Sequence, residues 1–170
     1  MDHSVKAKLI STATVLLVVV ALVSCGPRTE PVTPGRLVGF QPDGYAVESA
    51  EVILAGRIDG LVAEDSVILK MVFLRGQSYV EMSVAQFDGS IDATSFWYSW
   101  TREVAGPVRS AFSAFPLIYG ELSGEYGESY VKAWFQGRWL YVFRGEKIHS
   151  EDIAEQFKDY KRAVERSIEL

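Results

Sequence analysis

Ser66-Val67-Ile68-Leu69-Lys70-Met71-Val72-Phe73-Leu74, then Arg75-Gly76-Gln77, then Tyr79-Val80-Glu81-Met82-Ser83-Val84-Ala85-Gln86-Phe87 is the stretch that decides the fold. In 66–74, Ile68, Val72 and Leu74 oppose Leu69, Met71 and Phe73, so the strand is apolar on both faces. Residues 79–87 alternate as a second strand, and the glycine-containing turn between the runs predicts a hairpin. Asp88-Gly89-Ser90 halts the strand, with Ser90 in the position of a helix cap. Ala93, Phe96, Trp97, Trp100 and Val104 then recur at helical spacing, until Gly106-Pro107 ends the helix.

Outward from this unit, residues 51–54 read as a preceding strand, with Gly56 and Gly60 as breaks. Strands follow at 117–122, 129–135 and 139–143, separated by glycine turns. Ser150 reads as the cap of a last helix, with Glu151 and Asp152 at its positive end and Ile153, Phe157, Val164 and Ile168 as its buried stripe. The expected class is α+β: a mostly antiparallel sheet with two helices. Gly76-Gln77-Ser78-Tyr79-Val80 returns as Gly127-Glu128-Ser129-Tyr130-Val131, so a duplicated hairpin-and-helix unit is one source of the sheet; good turn chemistry arising twice is the other. The pattern over 76–168 resembles small extracytoplasmic bacterial domains of unknown function, without a motif that transfers a site.

The amino-terminal region has a different character. Lys6 and Lys8 precede an apolar run over 9–23, and Leu22-Val23-Ser24-Cys25 closes it with a small residue before the chain's single cysteine. This resembles the signal peptide and lipobox of a bacterial lipoprotein. The resemblance implies diacylglyceryl transfer to the Cys25 sulfur, cleavage before Cys25 and acylation of the new amino group. It makes the membrane a partner through lipid on Cys25 and places the protein in the cell envelope, outside the cytoplasm. With Gly rather than Asp at position 26, it favours the outer membrane where a cell has two. An uncleaved span is the alternative, weakened by Ser11, Thr12 and Thr14 and by the immediate Gly26-Pro27. The expected organisation is signal peptide 1–24, lipidated cysteine and Pro/Gly-rich tether 25–44, and one domain 45–170. The far end of the tether, Leu37-Val38-Gly39-Phe40, is apolar enough to dock on the domain.

Loss of Asp2, Lys6 and Lys8 with the signal takes the formal net charge from −5 to −6, which disfavours nucleic acid and anionic bilayer surfaces as partners. The remaining chain has one histidine, His149, which reads as a loop residue beside a helix start. With no free thiol either, no transition-metal site and no cofactor is expected. Carboxylates around Asp88 and Asp92, or Glu121, Glu125 and Glu128, read as solvated loops before calcium ligands. No Gly-x-Ser-x-Gly elbow, Walker loop or dinucleotide glycine pattern occurs. The chain thus reads as a non-catalytic binding or scaffolding protein of the envelope, with an envelope protein, glycan or lipid as ligand. A hydrolase using Glu121 and Glu125 as paired carboxylates is the alternative. Aromatic density is the one oddity: Trp97, Trp100, Trp134, Trp139 and Tyr141 are candidates for a ligand or partner groove, unless residues 107–118 fold across the second sheet face.

Overall fold

A computed structural model describes residues 32–106 and 119–168 and, for 114–115, the backbone alone. Cys25, the segment before it, its first neighbours and the cover expected from residues 107–118 lie outside the described residues.

The described chain runs α1 (Pro34–Leu37), β1 (Ala46–Leu54), β2 (Arg57–Ile58), β3 (Leu61–Val62), β4 (Ser66–Arg75), β5 (Ser78–Phe87), α2 (Ser90–Ala105), β6 (Ala114–Phe115), β7 (Tyr119–Tyr126), β8 (Ser129–Gln136), β9 (Trp139–Gly145) and α3 (Lys147–Ile168). Seven strands form one antiparallel sheet in the order β1-β4-β5-β9-β8-β7-β6, with β2 and β3 as a separate small hairpin. The architecture is α+β, as the sequence predicts.

Three hairpins of the large sheet close with two-residue loops: Gly76-Gln77, Gly127-Glu128 and Gly137-Arg138. The glycine φ values are 65°, 67° and 58°, while the residue after each glycine has negative φ, the arrangement of a type II′ turn that matches strand twist. The Gly76 and Gly127 loops lie in one sheet with β9 between their hairpins. Because β5 and β8 both run antiparallel to β9, they are parallel to each other. The order and directions are those of a two-fold axis along β9, which turns the sheet over. Val80 accordingly faces one layer and Val131 the other.

Each face has its own cover. On one, Val80, Met82, Val84, Trp134, Tyr141 and Phe143 pack under Ile153, Ala154 and Phe157 of α3. On the other, Ala85, Phe87, Val131, Phe135 and Val142 pack under Ala93, Phe96, Trp97 and Trp100 of α2, with Ile58 and Ala63 beside them. Strands apolar on both faces are what a sheet between two helical layers requires. The 55–65 segment is held by Asp59, at φ 48°: the Trp100 indole donates to its carboxylate at 2.8 Å, and Arg144 pairs with both its oxygens at 3.0 Å.

Four expectations are corrected. The packed domain begins at Val32, not at 45. Val32, Leu37 and Phe40 are buried in the α3-side core, and Phe40 meets Phe73 and Phe157 edge-on at 5.6 and 5.1 Å. Pro34 sets the single turn of α1, so the prolines shape a plug over β4 as well as a tether. Gly89, extended and without a side-chain cap, is the N-cap of α2 in place of Ser90. Helix α3 starts at Lys147, which places His149 and Ser150 inside its first turn, and Ser150 faces inward, fully buried. Finally, β1 is nine residues long and exposed along almost its whole length, an edge strand where 51–54 alone was expected.

Candidate binding cleft

The strand order brings the Gly76-Gln77 loop, the Gly127-Glu128 loop and the corner from β9 into α3 to one end of the sheet. Between them lies an open cleft of about 680 Å³, lined by Gln77, Ser78 and Tyr79 of the first hairpin, Glu125 and Glu128 of the second, and Gly145, Glu146, Lys147, Ile148 and Glu151. Gly145 is fixed by proximity, since it pairs with Val80 on one side and Tyr130 on the other. A Cβ there would meet the Tyr79 carbonyl oxygen at 2.5 Å, so any side chain displaces the backbone that shapes the floor.

The side chains are partly locked. Ser78 Oγ donates to Glu146, and the Tyr130 hydroxyl donates to Glu151 at 2.7 Å. The Lys147 ammonium stands 5.8 Å from the centre of the Tyr130 ring. Tyr79 and Ile148 remain 54% and 71% exposed, the large apolar side chains of an otherwise mostly polar and charged lining. Burial, then the Glu151 hydrogen bond and charge, push the Tyr130 phenol up to about 12. That value lies above the ordinary 10 of an unfolded chain. The stability it contributes is therefore complete below about pH 10 and disappears as pH rises toward 12. Ultraviolet titration should show late-ionising phenols, Tyr130 and Tyr119, both raised to about 12. In Tyr130→Phe the late component should shrink; an unchanged late component would contradict the assignment.

Beside the cleft, the Tyr45 hydroxyl lies 2.9 Å from both His149 Nδ1 and Asp152 Oδ2. Its one proton goes to Asp152, so His149 Nδ1 is the donor in the other bond. Burial raises the Tyr45 phenol. His149 thus clamps the amino-terminal plug to α3.

The residues expected to form a groove are not brought together. Trp97 and Trp100 are fully buried on the α2 face, with Trp97 against Phe135 at 5.2 Å. Trp134, Trp139 and Tyr141 lie on the opposite face beneath α3, stacked in a ladder, with Trp134 and Tyr141 4.8 Å apart. The ammonium groups of Lys158 and Lys161 close over Trp134 and Trp139 at 4.8 and 5.5 Å. Both sets are core, and neither forms the floor of a groove.

Glu121 and Glu125 are not set side by side on the backbone. They are four residues apart on β7, or about 13 Å by strand rise. Glu121 is held by Lys132 and by the Tyr119 hydroxyl, which keep its carboxyl below the usual range and unsuited to donating a proton. Among the described residues no three of His, Cys, Asp or Glu are placed to hold one metal ion, and no helix is long and apolar enough to cross a membrane. Of the cleft residues, Glu125 and Glu128 stand out in the sequence only as members of an acidic loop, and the sequence does not mark the others as parts of one site. The signal that pointed to them was the echoed Gly-x-Ser-Tyr-Val, whose two copies open its two loops.

The fold and cleft define an α+β domain with a central antiparallel sheet between helical layers and an open site at one sheet end. Compared with protein-family models, curated proteins and solved structures, the chain matches none of them.

Proposed function

We propose that this is a lipid-anchored protein of the bacterial cell envelope, held to its membrane through acyl groups on Cys25, whose domain binds another envelope component in the cleft without catalysis. The observation that carries the reading is the lipobox-like Leu22-Val23-Ser24-Cys25 followed, seven residues after the cysteine, by Val32, already packed in the core. Such spacing suits a domain kept close to the lipid. Gly26 favours the outer membrane where there are two.

The cleft lining carries Glu125, Glu128, Glu146 and Glu151 against one ammonium, Lys147. That balance disfavours anionic polymers and favours a protein segment or an uncharged glycan. The test is recovery of partners from detergent-solubilised membranes by the lipidated protein, wild type against Glu125→Lys with Glu128→Lys. A component recovered with the wild type and lost with the variant supports the reading. Equal recovery by both proteins, or recovery of the chain alone, overturns it.

A further inference from the structure

We propose that the end of the sheet opposite the cleft rests on the bilayer, with Leu54 and Ile91 set among the lipid headgroups. The inference rests on the lipid anchor proposed for Cys25.

The chain reaches the domain at Val32, whose carbonyl accepts from the Gln86 side chain at 3.2 Å. Gln86 lies near the end of β5, paired with Val67 and Trp139, eight residues from the cleft residue Ser78. A ten-residue strand is about 33 Å long, so the cleft and the Val32 end are opposite poles. Seven peptide steps from Cys25 to Val32 span about 25 Å at most. The tether thus brings the Val32 end within reach of the lipid surface and leaves the cleft facing outward.

The chemistry of that end fits. Leu54 pairs with Val67 at the close of β1, Ile91 opens α2 just after β5, and Tyr119 pairs with Gln136 at the start of β7. All belong to the same end of the sheet, and they are 77%, 79% and 44% exposed. Apolar side chains on an interfacial surface add to an acyl anchor by leaving water for the headgroup boundary. Asp65, Asp88 and Asp92 share this end with Arg138, so the surface it fits is a zwitterionic one and not an anionic one.

The test uses the full lipidated protein in zwitterionic phosphatidylethanolamine and phosphatidylcholine vesicles. Once Cys25 carries lipid, an introduced cysteine is the only free thiol. An environment-sensitive dye at Ile91→Cys, and separately at Leu54→Cys, should lose most of its emission to shallow nitroxide-labelled lipids. The same dye at Ile148→Cys in the cleft should lose none. All three side chains are exposed, so the substitutions leave the core intact, and a thermal melt of each variant confirms it. Acyl labelling of Cys25 runs in parallel. Labelling present with no quenching at positions 54 and 91, or with equal quenching at 148, overturns the bilayer contact alone. Labelling absent overturns the anchor and the contact together.

Discussion

A chain shortened to begin at Tyr45 is expected to lose its cooperative thermal transition, whereas one beginning at Val32 keeps it. The thirteen residues between them look dispensable by composition, and they hold Val32, Leu37 and Phe40 at 0, 0 and 3% exposure. Without them Leu69, Met71 and Phe73 of β4 lose their cover on the face they share with α3, and Phe157 loses its edge-on partner. The same plug carries the Tyr45 end of the clamp to His149 and Asp152. The single substitution Phe40→Ala isolates the packing effect and should cost about 3–5 kcal/mol in chemical denaturation, as for other buried aromatics. Its neighbour Val38, 43% exposed, should tolerate alanine within about 0.5 kcal/mol. If the chain from 45 melts as sharply and as high as the chain from 32, the plug is not part of the domain.

The second large effect is all-or-none. Cys25→Ser should abolish incorporation of labelled fatty acid and leave a precursor that retains residues 1–24. The proposed anchor depends on a thioether that a serine hydroxyl would not supply, and durable attachment needs more than one acyl chain. Mass measurement of the membrane-extracted protein reads both consequences at once. A variant processed and retained like the wild type would remove the basis for placing this protein in a membrane through lipid.

The hairpin from Ser66 to Phe87 is legible in the sequence because period-two alternation and a glycine turn agree there, and the observed strands end within a residue or so of the expected bounds. The first half of β1, Ala46-Val47-Glu48-Ser49-Ala50, was not legible, since an edge strand exposed on both sides has no need of an apolar pattern. Docking of Leu37-Val38-Gly39-Phe40 was legible from its apolar residues, and Leu37 and Phe40 are buried as expected; that packing begins as early as Val32 was hidden by the prolines and glycines, which serve a spacer and a tight buried turn equally well. Ser150 has the residue type of a cap and the position of a core residue; the helix spacing with Ile153, Ala154 and Phe157 puts it on the buried stripe. Trp97 and Trp100 could be assigned to the sheet-facing side of their helix, but Trp134 and Trp139 could not be assigned to a face of the sheet. Trp134 stacks with Tyr141 because β8 pairs with β9 in one particular register. The cleft was least visible of all, since its parts become neighbours only through the order β5-β9-β8.

Among the described residues the outer flank of β1 has no strand partner, and it carries Val47, Val52 and Leu54, which are 36, 42 and 77% exposed. Bulging at Val47/Ser49 and the charges of Glu48 and Glu51 blunt only part of it. Antiparallel self-pairing of two copies along this flank would turn one of them upside down. For copies anchored and oriented as proposed, that would raise the inverted copy's Val32 by about a sheet length, roughly 33 Å, beyond the 25 Å or so that seven peptide steps allow. Shared orientation would therefore act as a chaperone for the edge, keeping identical strands from zipping together at high surface density. A domain released from lipid would lose that protection, and soluble preparations would be where aggregation through β1 begins.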